Sequence, residues 1–317
     1  MTDENSNMNL LRPLYFDDYI GQETLKNKLA ISIDAAKKRG QALDHILIFG
    51  PPGLGKTTIA NIIANEMESG IKSQAATGIE KTRDLVSLLV NIQENDILFI
   101  DEIHRLPSYV EEMLYSAMED FFIEIITELS DGQKSVRISL PHFTLIGATT
   151  KPGMLSSPLK DRFGIKEKLD YYDENNLTII IKNAANKINF KITDIAASEI
   201  SKRSRGTPRI ALHMMKRLYD YSLSKDILLD NKTDVITALS IMVDVDENGL
   251  DNIDKSYIKL LYEYGTMGIK NISSMLSEDA SNIEVFVEPY LMKMEYIIKT
   301  SKGRKLTTHG ENIASSL

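Results

Sequence analysis

A glycine-rich segment that ends in lysine and threonine carries the most definite chemistry in this sequence. The segment Gly50-Pro-Pro-Gly-Leu-Gly-Lys56-Thr57 has the spacing G-x-x-x-x-G-K-[ST]. In such a loop the glycines let backbone N–H groups converge on phosphate oxygens, while the lysine reaches the β- and γ-phosphates. The hydroxyl of Thr57 is the expected ligand for Mg²⁺. The segment therefore predicts a site for a nucleoside triphosphate.

Two acidic residues supply what hydrolysis needs beyond binding. Asp101 and Glu102 follow an apolar run at 97–100. We expect Asp101 to hold Mg²⁺ through water, and Glu102 to orient and polarise the attacking water. Acids at the end of a strand can also form a solvated turn, but beside a nucleotide loop they predict ATP hydrolysis.

Further polar residues could complete such a site. Thr149 and Thr150 follow an apolar run at 143–146, where a hydroxyl can hold the lytic water or the γ-phosphate, or simply cap a strand. Arg162 could act as an arginine finger in a neighbouring subunit, or be an ordinary surface residue. Arg209, in the first turn of a predicted helix, could reach the γ-phosphate.

Cysteine and histidine usage limits the metal chemistry. The chain has 317 residues, no cysteine and five histidines. Without cysteine no disulfide or thiolate metal site can form, and scattered histidines disfavour a zinc enzyme. His104 lies beside the acidic pair without a partner at metal-ligand spacing, so it is interpreted as a structural bystander.

Three apolar runs predict the strands that position these residues. They cover 46–49, 97–100 and 143–146, and helical patterns at 84–93 and 108–121 lie between them. Short apolar strands that alternate with helices are typical of a parallel sheet whose working edge lies at the carboxyl ends of the strands. An α/β domain is therefore predicted for the first half of the chain.

An insertion between the second and third runs has the pattern of a β-hairpin. Residues 123–127 and 136–140 are rich in β-branched side chains and flank an Asp131-Gly132 turn. This hairpin is interpreted either as a surface excursion or as an element that docks a partner.

The second half of the chain predicts two further domains. Residues 175–245 are helical throughout, and a stretch at 243–249 breaks the periodicity. Three candidate helices then precede a two-stranded ribbon with a basic turn, which is the pattern of a winged helix-turn-helix. The helices cover 254–264, 271–277 and 281–292, and the ribbon covers 296–308. The predicted domains are a large one at 1–174, a small helical one at 175–245 and a winged-helix head at 248–317.

The charge of the chain excludes a strongly basic DNA-coating protein. Lys and Arg number 37 against 45 Asp and Glu, a net charge of −8 at pH 7. From residue 293 to the end, however, five cations stand against two acids. The cations at the ribbon could straddle a phosphate backbone without sequence preference, or form a solvated basic hairpin. They are Lys299, Lys302, Arg304 and Lys305.

The helix before the ribbon carries the opposite charge. Glu284 and Glu288 would repel phosphates, and Pro289 is expected to break the helix, so it is not expected to read bases. A polar N-terminus and the lack of an apolar run of membrane-spanning length predict a cytoplasmic protein.

Nine short segments along the chain form a recognisable set. They are LRP at 11–13, YIGQ at 19–22, GPPGLGKTT at 50–58, ILFIDEIHRL at 97–106, AMEDF at 117–121, FTLIGATT at 143–150, DRFGI at 161–165, RGTPRIA at 205–211 and EPYL at 288–291. In this order they resemble the RuvB family of AAA+ ATPases, the motors of Holliday-junction branch migration in bacteria. The resemblance covers nearly the whole chain.

This resemblance implies an architecture, an assembly and partners. The architecture is an α/β AAA+ P-loop NTPase large domain with a parallel sheet, an all-α small domain and a winged-helix head. The assembly is a homohexamer that uses ATP and Mg²⁺ to translocate duplex DNA in recombination and DNA repair. The implied partners are RuvA, docked by the hairpin at 123–140, and the RuvC resolvase, which acts alongside on the Holliday junction.

The resemblance also assigns roles to residues that match the family's motifs. Thr150 corresponds to sensor 1, Arg162 to the finger that acts in a neighbouring subunit, and Arg209 to sensor 2. The implied nucleotide contacts are Leu11, Arg12, Gly53, Gly55, Lys56, Thr57, Thr58, Glu119, Asp120, Phe121, Arg162, Tyr172 and Arg209.

The chain departs from the family in the head and in the hairpin. Lys299-Thr-Ser-Lys-Gly-Arg304 stands where the family has an arginine-rich RTPRGR segment, and lysine keeps the charge but not the planar fork. Glu124 and the turn at 128–131 make the hairpin more acidic. These changes bear on DNA affinity and on docking of RuvA, and not on the nucleotide chemistry.

Two other functions are compatible with these motifs. One is a clamp-loader-like AAA+ switch that opens a partner ring, and the basic ribbon weighs against it. The other is an ATP-gated winged-helix regulator that reads a DNA site, and Glu284 and Glu288 weigh against that.

Overall fold

The computed structural model of the protein describes residues 11–129 and 132–317, with the side chains at 126–134 outside that description. Contacts along the chain define two units, Met1–Asp170 and Tyr171–Leu317. In the described part of the chain, no helix is both long enough and apolar enough to cross a membrane.

A five-stranded parallel sheet forms the centre of the first unit. Its strands are β1 (Ile46–Phe49), β2 (Ile71–Ala75), β3 (Ile97–Asp101), β6 (Thr144–Thr149) and β7 (Ile165–Lys168). Their spatial order is β2-β3-β6-β1-β7. The three predicted strands are confirmed as the central ones, and they are buried because both faces of a parallel sheet are covered.

The two outer strands were not predicted. Both alternate half-buried and exposed positions, and charged or polar side chains occupy much of each strand. The first unit also contains five α-helices among its described residues. They are α1 (Glu23–Arg39), α2 (Lys56–Met67), α3 (Thr82–Val90), α4 (Ser108–Glu119) and α5 (Ser157–Asp161). Two of them, α3 and α4, match the predicted helical patterns at 84–93 and 108–121, the first shifted toward the N-terminus and the second two residues shorter.

The predicted hairpin is present, and its strands are longer than expected. Its strands are β4 (Phe122–Leu129) and β5 (Gly132–Ser139), paired antiparallel from Phe122 opposite Ser139 to Leu129 opposite Gly132. The guanidinium of Arg137 stacks 3.4 Å from the ring centroid of Phe122 near the base of the hairpin. Residues 130 and 131, between the two strands of the hairpin, lie outside the described residues.

Four helices open the second unit. They are α6 (Glu174–Lys187), α7 (Asp194–Arg203), α8 (Pro208–Lys225) and α9 (Lys232–Val243). Three begin with a side chain that accepts a hydrogen bond from the backbone of the first turn, namely Asp173, Thr193 and Asn231. The all-helical prediction for this region is confirmed.

The C-terminal part of the second unit is a winged helix. Its helices are α10 (Asn252–Tyr264), α11 (Ile269–Leu276), α12 (Ala280–Asn282), α13 (Glu288–Lys293) and α14 (Thr308–Ser316). The ribbon strands are β8 (Ile297–Thr300) and β9 (Gly303–Leu306). A π-helix at Ile283–Val287 joins α12 to α13.

Two local expectations for the winged helix were wrong. Pro289 does not break the helix, because it lies in the first turn of α13, where a missing N–H is tolerated. The ribbon does not extend to Thr308, because the side chain of Thr307 accepts a hydrogen bond from the backbone of Gly310 and so begins α14.

One arginine joins the helical part of the second unit to the winged helix. Arg205 donates to the carbonyl of Gly249 at 3.1 Å and to Asp251 at 3.0 Å, and it also donates to the carboxyl of Asp254. Its guanidinium stacks 4.7 Å from the ring centroid of Tyr290. Asp254 is fully buried, and burial raises the pKa of its carboxyl to about 7 although Arg205 opposes the shift.

This raised pKa makes the stability of the unit depend on pH. The carboxyl keeps its proton in the folded state up to about pH 7 but loses it near 3.8 when unfolded, so stability falls as the pH rises between these values. The loss attributable to Asp254 should reach about 4 kcal/mol. Asp254→Asn keeps an acceptor oxygen without the charge, and its denaturation midpoint should therefore gain on the wild type as the pH rises. A difference between the two proteins that is constant with pH would contradict this.

Candidate active site

The nucleotide loop, residues 50–57, joins β1 to α2 in a backbone conformation that requires glycine. Gly50 has φ +147°, and a Cβ at this position would lie 2.7 Å from the carbonyl oxygen of Leu169. Gly55 has φ +103° and immediately precedes the first residue of α2. The loop therefore presents a helix N-terminus, where free N–H groups and the helix dipole favour an anion.

Lys56 fits this loop to a phosphate chain. Its ammonium donates to the carbonyl oxygens of Gly50 at 2.9 Å and Pro51 at 3.0 Å, and the residue is only 7% exposed. An ammonium group beside the N-terminus of α2 is an arrangement that binds anionic oxygens. The residues present therefore suit a phosphate chain at this loop.

The order of the strands brings the other predicted residues to the same edge of the sheet. β3, β6 and β1 are neighbours and run parallel, so their carboxyl ends lie side by side. Asp101 ends β3, Thr149 ends β6, and the nucleotide loop follows β1. The structure thus groups the loop, the acidic pair and the threonine pair as a parallel sheet requires.

Glu102 is held in place by Thr150. Its Oε2 accepts hydrogen bonds from the backbone N–H of Thr150 at 3.1 Å and from the Thr150 hydroxyl at 2.9 Å. Glu102 has φ +50°, a left-handed conformation that costs energy for a residue with a side chain. The carboxylate therefore has a defined place beside the proposed sensor 1 threonine.

His104, interpreted from the sequence as a structural bystander, lies in contact with the acidic pair and the threonine pair. From the sequence, no carboxylate partner was expected for His104. In the structure the Nδ1 atom of His104 lies 3.2 Å from Oε2 of Glu102 and 2.9 Å from Oγ1 of Thr149. Burial lowers the pKa of the imidazole, and the nearby Glu102 opposes this only in part. The ring is therefore neutral near pH 7.

The residues that begin the described chain pack against the nucleotide helix. The side chain of Asn65 donates to the carbonyl of Leu14 at 2.8 Å, and Glu66 accepts from the backbone of Phe16 at 3.0 Å. Tyr19 is buried, and a Cβ on Gly55 would lie 3.3 Å from its hydroxyl. Tyr19 therefore lies next to the nucleotide loop. In the sequence, the YIGQ segment is the only signal that could have pointed to this contact.

Leu11 and Arg12 are the first described residues of this segment. Both make contacts within the protein. Their role in contacting the nucleotide is untested and stays a prediction.

Arg162 lies with Glu119 in a second group of predicted residues. Its guanidinium donates to Glu119 at 2.9 Å and to the carbonyl of Pro158 at 2.9 Å, and it stacks 4.6 Å from the ring centroid of Tyr115. Ser156 caps α5 and receives a hydrogen bond from, or donates one to, Tyr115 at 3.0 Å. This group fixes the base of the arginine and leaves its charge paired with an exposed carboxylate.

A cavity of about 470 Å³ adjoins this second group. Arg162, Phe121 and His142 are among its lining residues, and no residue of the nucleotide loop is. His45, at the back of the cavity, accepts from the N–H of Leu145 at Nδ1 and so donates from Nε2 to Met118. Asp120 is the C-cap residue of α4 and lies between Glu119 and Phe121.

Two predicted nucleotide contacts belong to the second unit. Tyr172 is buried, and its N–H donates to the carbonyl of Gly206 at 2.9 Å. Arg209 is exposed in the first turn of α8, directly after Pro208. Tyr172 is therefore hydrogen-bonded to the turn that precedes α8, and Arg209 lies in the first turn of that helix.

The predicted DNA-binding cations differ in how free their charges are. Glu288 is fully buried and pairs with Lys299 at 2.6 Å and with Arg304 at 2.7 Å. Arg304 also pairs with Glu284 at 2.8 Å. Lys302 is exposed at the tip of the ribbon. Glu288 is therefore a buried, paired acid and not a free surface charge, and the expectation that its helix does not read bases stays a prediction.

Tyr257 completes the group around Glu288 by donating from its hydroxyl at 3.0 Å. Burial acts to raise the pKa of Glu288, but the hydrogen bonds from Arg304 and Lys299 hold it below its usual value. We call Glu288, Tyr257, Lys299 and Arg304 the Glu288 cluster. It fixes the ribbon to α13.

The sheet, the nucleotide loop, the acidic pair and the helical domain define an AAA+ P-loop ATPase. Three family models match the chain: the Holliday junction DNA helicase RuvB P-loop domain at residues 11–169, the RuvB AAA lid domain at 172–246 and the RuvB C-terminal winged helix domain at 247–314. The chain belongs to the RuvB family.

Individual relatives agree with this assignment. A Fusobacterium nucleatum protein is 50% identical over 301 residues, which cover 94% of this chain and 90% of the relative. A Nitratiruptor protein is 50% identical over 311 residues, 96% of this chain and 92% of the relative. Both are named Holliday junction branch migration complex subunit RuvB.

A solved structure matches over almost the same length. The Thermotoga maritima RuvB Holliday junction branch migration motor superposes with a TM-score of 0.87 at 40% identity, covering 96% of this chain and 98% of that one.

Proposed function

We propose that this protein is an ATP-hydrolysing motor subunit that drives branch migration of Holliday junctions by translocating duplex DNA in homologous recombination and repair. Its similarity to relatives so named, over nine-tenths or more of both chains, supports this. The observation that carries the enzymatic part is Glu102, held by Thr150 at the same sheet edge as the nucleotide loop.

The nucleotide loop and its helix would hold the phosphates of ATP. Lys56 would exchange its two carbonyl partners for the β- and γ-phosphates, and Gly53, Gly55 and Thr58 would contribute backbone or hydroxyl donors. Mg²⁺, held by Thr57 and through water by Asp101, would supply positive charge that offsets the charge of the transferring group. Leu11, Arg12 and Tyr172 would contact the rest of the nucleotide.

Glu102 would act on the attacking water. It accepts a proton as the water oxygen bonds to the γ-phosphorus and the bond to the β–γ bridging oxygen breaks, so that ADP leaves. Thr150 would hold Glu102, while Arg162 of a neighbouring subunit and Arg209 would stabilise the charge on the γ-phosphate.

The assembly and its partners follow the family expectation. We propose a homohexamer on DNA arms, with RuvA docked at the hairpin of residues 123–140 and RuvC acting alongside. The working division into domains at 1–174, 175–245 and 248–317 belongs to this proposal. Lys302 and Lys305, exposed on the ribbon, are the cations best placed for the phosphate backbone.

One assay tests this function against its rivals. On a synthetic four-way junction, the wild type with RuvA should hydrolyse ATP and move the branch point, and Lys56→Ala should do neither. ATP turnover without junction movement in the presence of RuvA would favour a clamp-loader-like switch. A preferred binding site on mixed sequences would favour a transcription regulator.

A further inference from the structure

Two hydrogen bonds and a close contact with a ring nitrogen converge on one oxygen of the proposed catalytic carboxylate. Oε2 of Glu102 lies 3.1 Å from the N–H of Thr150, 2.9 Å from the Thr150 hydroxyl and 3.2 Å from Nδ1 of His104. The His104 side chain is only 7% exposed, whereas that of Glu102 is 33% exposed. The imidazole therefore has little freedom to move away from the carboxylate.

The surroundings of His104 determine which ring nitrogen carries the proton. A carboxylate can only accept hydrogen bonds, so an unprotonated Nδ1 facing Glu102 would set lone pair against lone pair. The same Nδ1 lies 2.9 Å from Oγ1 of Thr149, an oxygen that also accepts from the N–H of Lys151 at 3.0 Å. The consistent arrangement is a protonated Nδ1 that donates to both Glu102 and Thr149.

The charge state of the ring suits this arrangement. Burial lowers the pKa of His104, so the ring donates a hydrogen bond without bringing a positive charge to Glu102. A neutral donor orients a carboxylate while reducing its basicity less than an imidazolium would.

We propose that His104 is a positioning residue for Glu102, whose Nδ1–H fixes Oε2 and thereby presents Oε1 to the attacking water. This inference rests on the proposed role of Glu102 as the base. Thr150 and His104 both contact this one oxygen, so the carboxylate is oriented before water binds. These contacts hold the side chain of a residue whose backbone is in the left-handed region, at φ +50°. His104 itself does not touch the substrate.

Two substitutions separate positioning from simple packing. His104→Leu keeps apolar bulk and loses the donor, whereas His104→Asn loses bulk and can place an amide N–H where Nδ1–H lies. A residue that only fills space should tolerate leucine better than asparagine. A positioning residue should show the reverse order.

The measurement is steady-state ATP hydrolysis by the full chain, with nucleotide affinity from a fluorescent ATP analogue. We expect His104→Leu to lower kcat on the order of ten- to a hundredfold, with KM and affinity within about twofold of the wild type. His104→Asn should recover most of that loss. A wild-type kcat in the leucine variant, or equal loss in both variants, would overturn the proposal.

A spectroscopic measurement keeps the proposal testable if a variant fails to fold. In wild-type protein labelled with ¹⁵N-histidine, the His104 ring should be the neutral tautomer protonated at Nδ1, and Glu102→Gln should shift the Nδ1 signal. An unprotonated Nδ1 would overturn the proposal. Activity in Glu102→Gln would instead overturn the proposed function, whereas an inactive Glu102→Gln beside a wild-type-like His104→Leu would overturn only this inference.

Discussion

Rings mixed from two inactive variants, Glu102→Gln and Arg162→Ala, are expected to recover ATP turnover. Each variant alone should lose on the order of a thousandfold or more in kcat, because one lacks the base and the other lacks the charge that stabilises the transition state. If Glu102 acts within its own subunit and Arg162 acts on the neighbour, random mixing leaves about a quarter of the sites with both groups intact. Recovered turnover should therefore approach about a quarter of the wild-type rate.

The contacts of Arg162 are compatible with a role in which its guanidinium exchanges Glu119 for a group of the neighbouring subunit. Its partner Glu119 has a side chain that is 62% exposed, and exposed ion pairs contribute little. The stacking on Tyr115 and the bond to the carbonyl of Pro158 hold the base of the guanidinium instead. A neighbour's γ-phosphate can thus replace Glu119 at small cost.

The mixing experiment has a matched control in α5, the helix that ends just before Arg162. Lys160→Ala removes a neighbouring cation and should retain wild-type turnover, alone or in mixtures. Variants are mixed before nucleotide is added, and phosphate release is followed as the ratio changes. No recovery at any ratio would place Glu102 and Arg162 in the same subunit's site.

The central sheet was predictable because its strands are apolar along their whole length. Ile46–Phe49 and Ile97–Asp101 are buried at nearly every position, so composition alone marks them. Ile71–Ala75 and Ile165–Lys168 lie at the sheet edges, where one side is solvated, and their mixed composition resembles that of a loop. Edge strands depend on pairing with a neighbour, and pairing is not written in a local pattern.

The nucleotide loop was predictable for a different reason. Its function depends on residue types at fixed spacing, and Gly50 is required by a close approach to Leu169. The contact between Glu102 and His104 has no such spacing rule. It depends on a short 3₁₀ turn at Ile103–Arg105 and on Thr149 and Thr150 arriving from β6.

The charges of the winged helix show the same limit. From the sequence, the acids of the helix before the ribbon and the cations of the ribbon are all interpreted as surface charges. In the structure Glu288 is buried and pairs with Lys299 and Arg304, and Arg304 also pairs with Glu284, so two acids offset two cations within the head. Sequence counting therefore overstates the charge that the ribbon offers to DNA.

Removing the carboxylate of the Glu288 cluster should be strongly destabilising. Glu288→Ala would leave Arg304, whose side chain is 13% exposed, and the hydroxyl of Tyr257 without their buried acceptor. Breaking a buried ion pair by deleting one partner costs about 3–5 kcal/mol. Chemical denaturation should show this loss, and Glu284→Ala is the matched control. Glu284 pairs with the same arginine, but its side chain is 44% exposed, so its removal should cost less than about 1 kcal/mol.

The ion pairs of the Glu288 cluster also predict which ribbon cations contribute to DNA affinity. Lys302 is exposed at the ribbon tip, so Lys302→Ala should weaken duplex binding and reduce its salt dependence while leaving stability unchanged. Arg304 is already neutralised by Glu288 and Glu284, so Arg304→Ala should lower stability more than DNA affinity. Salt titrations of DNA binding and denaturation curves on both variants give the comparison. If Arg304→Ala reduced the salt dependence as much as Lys302→Ala without loss of stability, the arginine would be a free phosphate contact and the cluster would not anchor the ribbon.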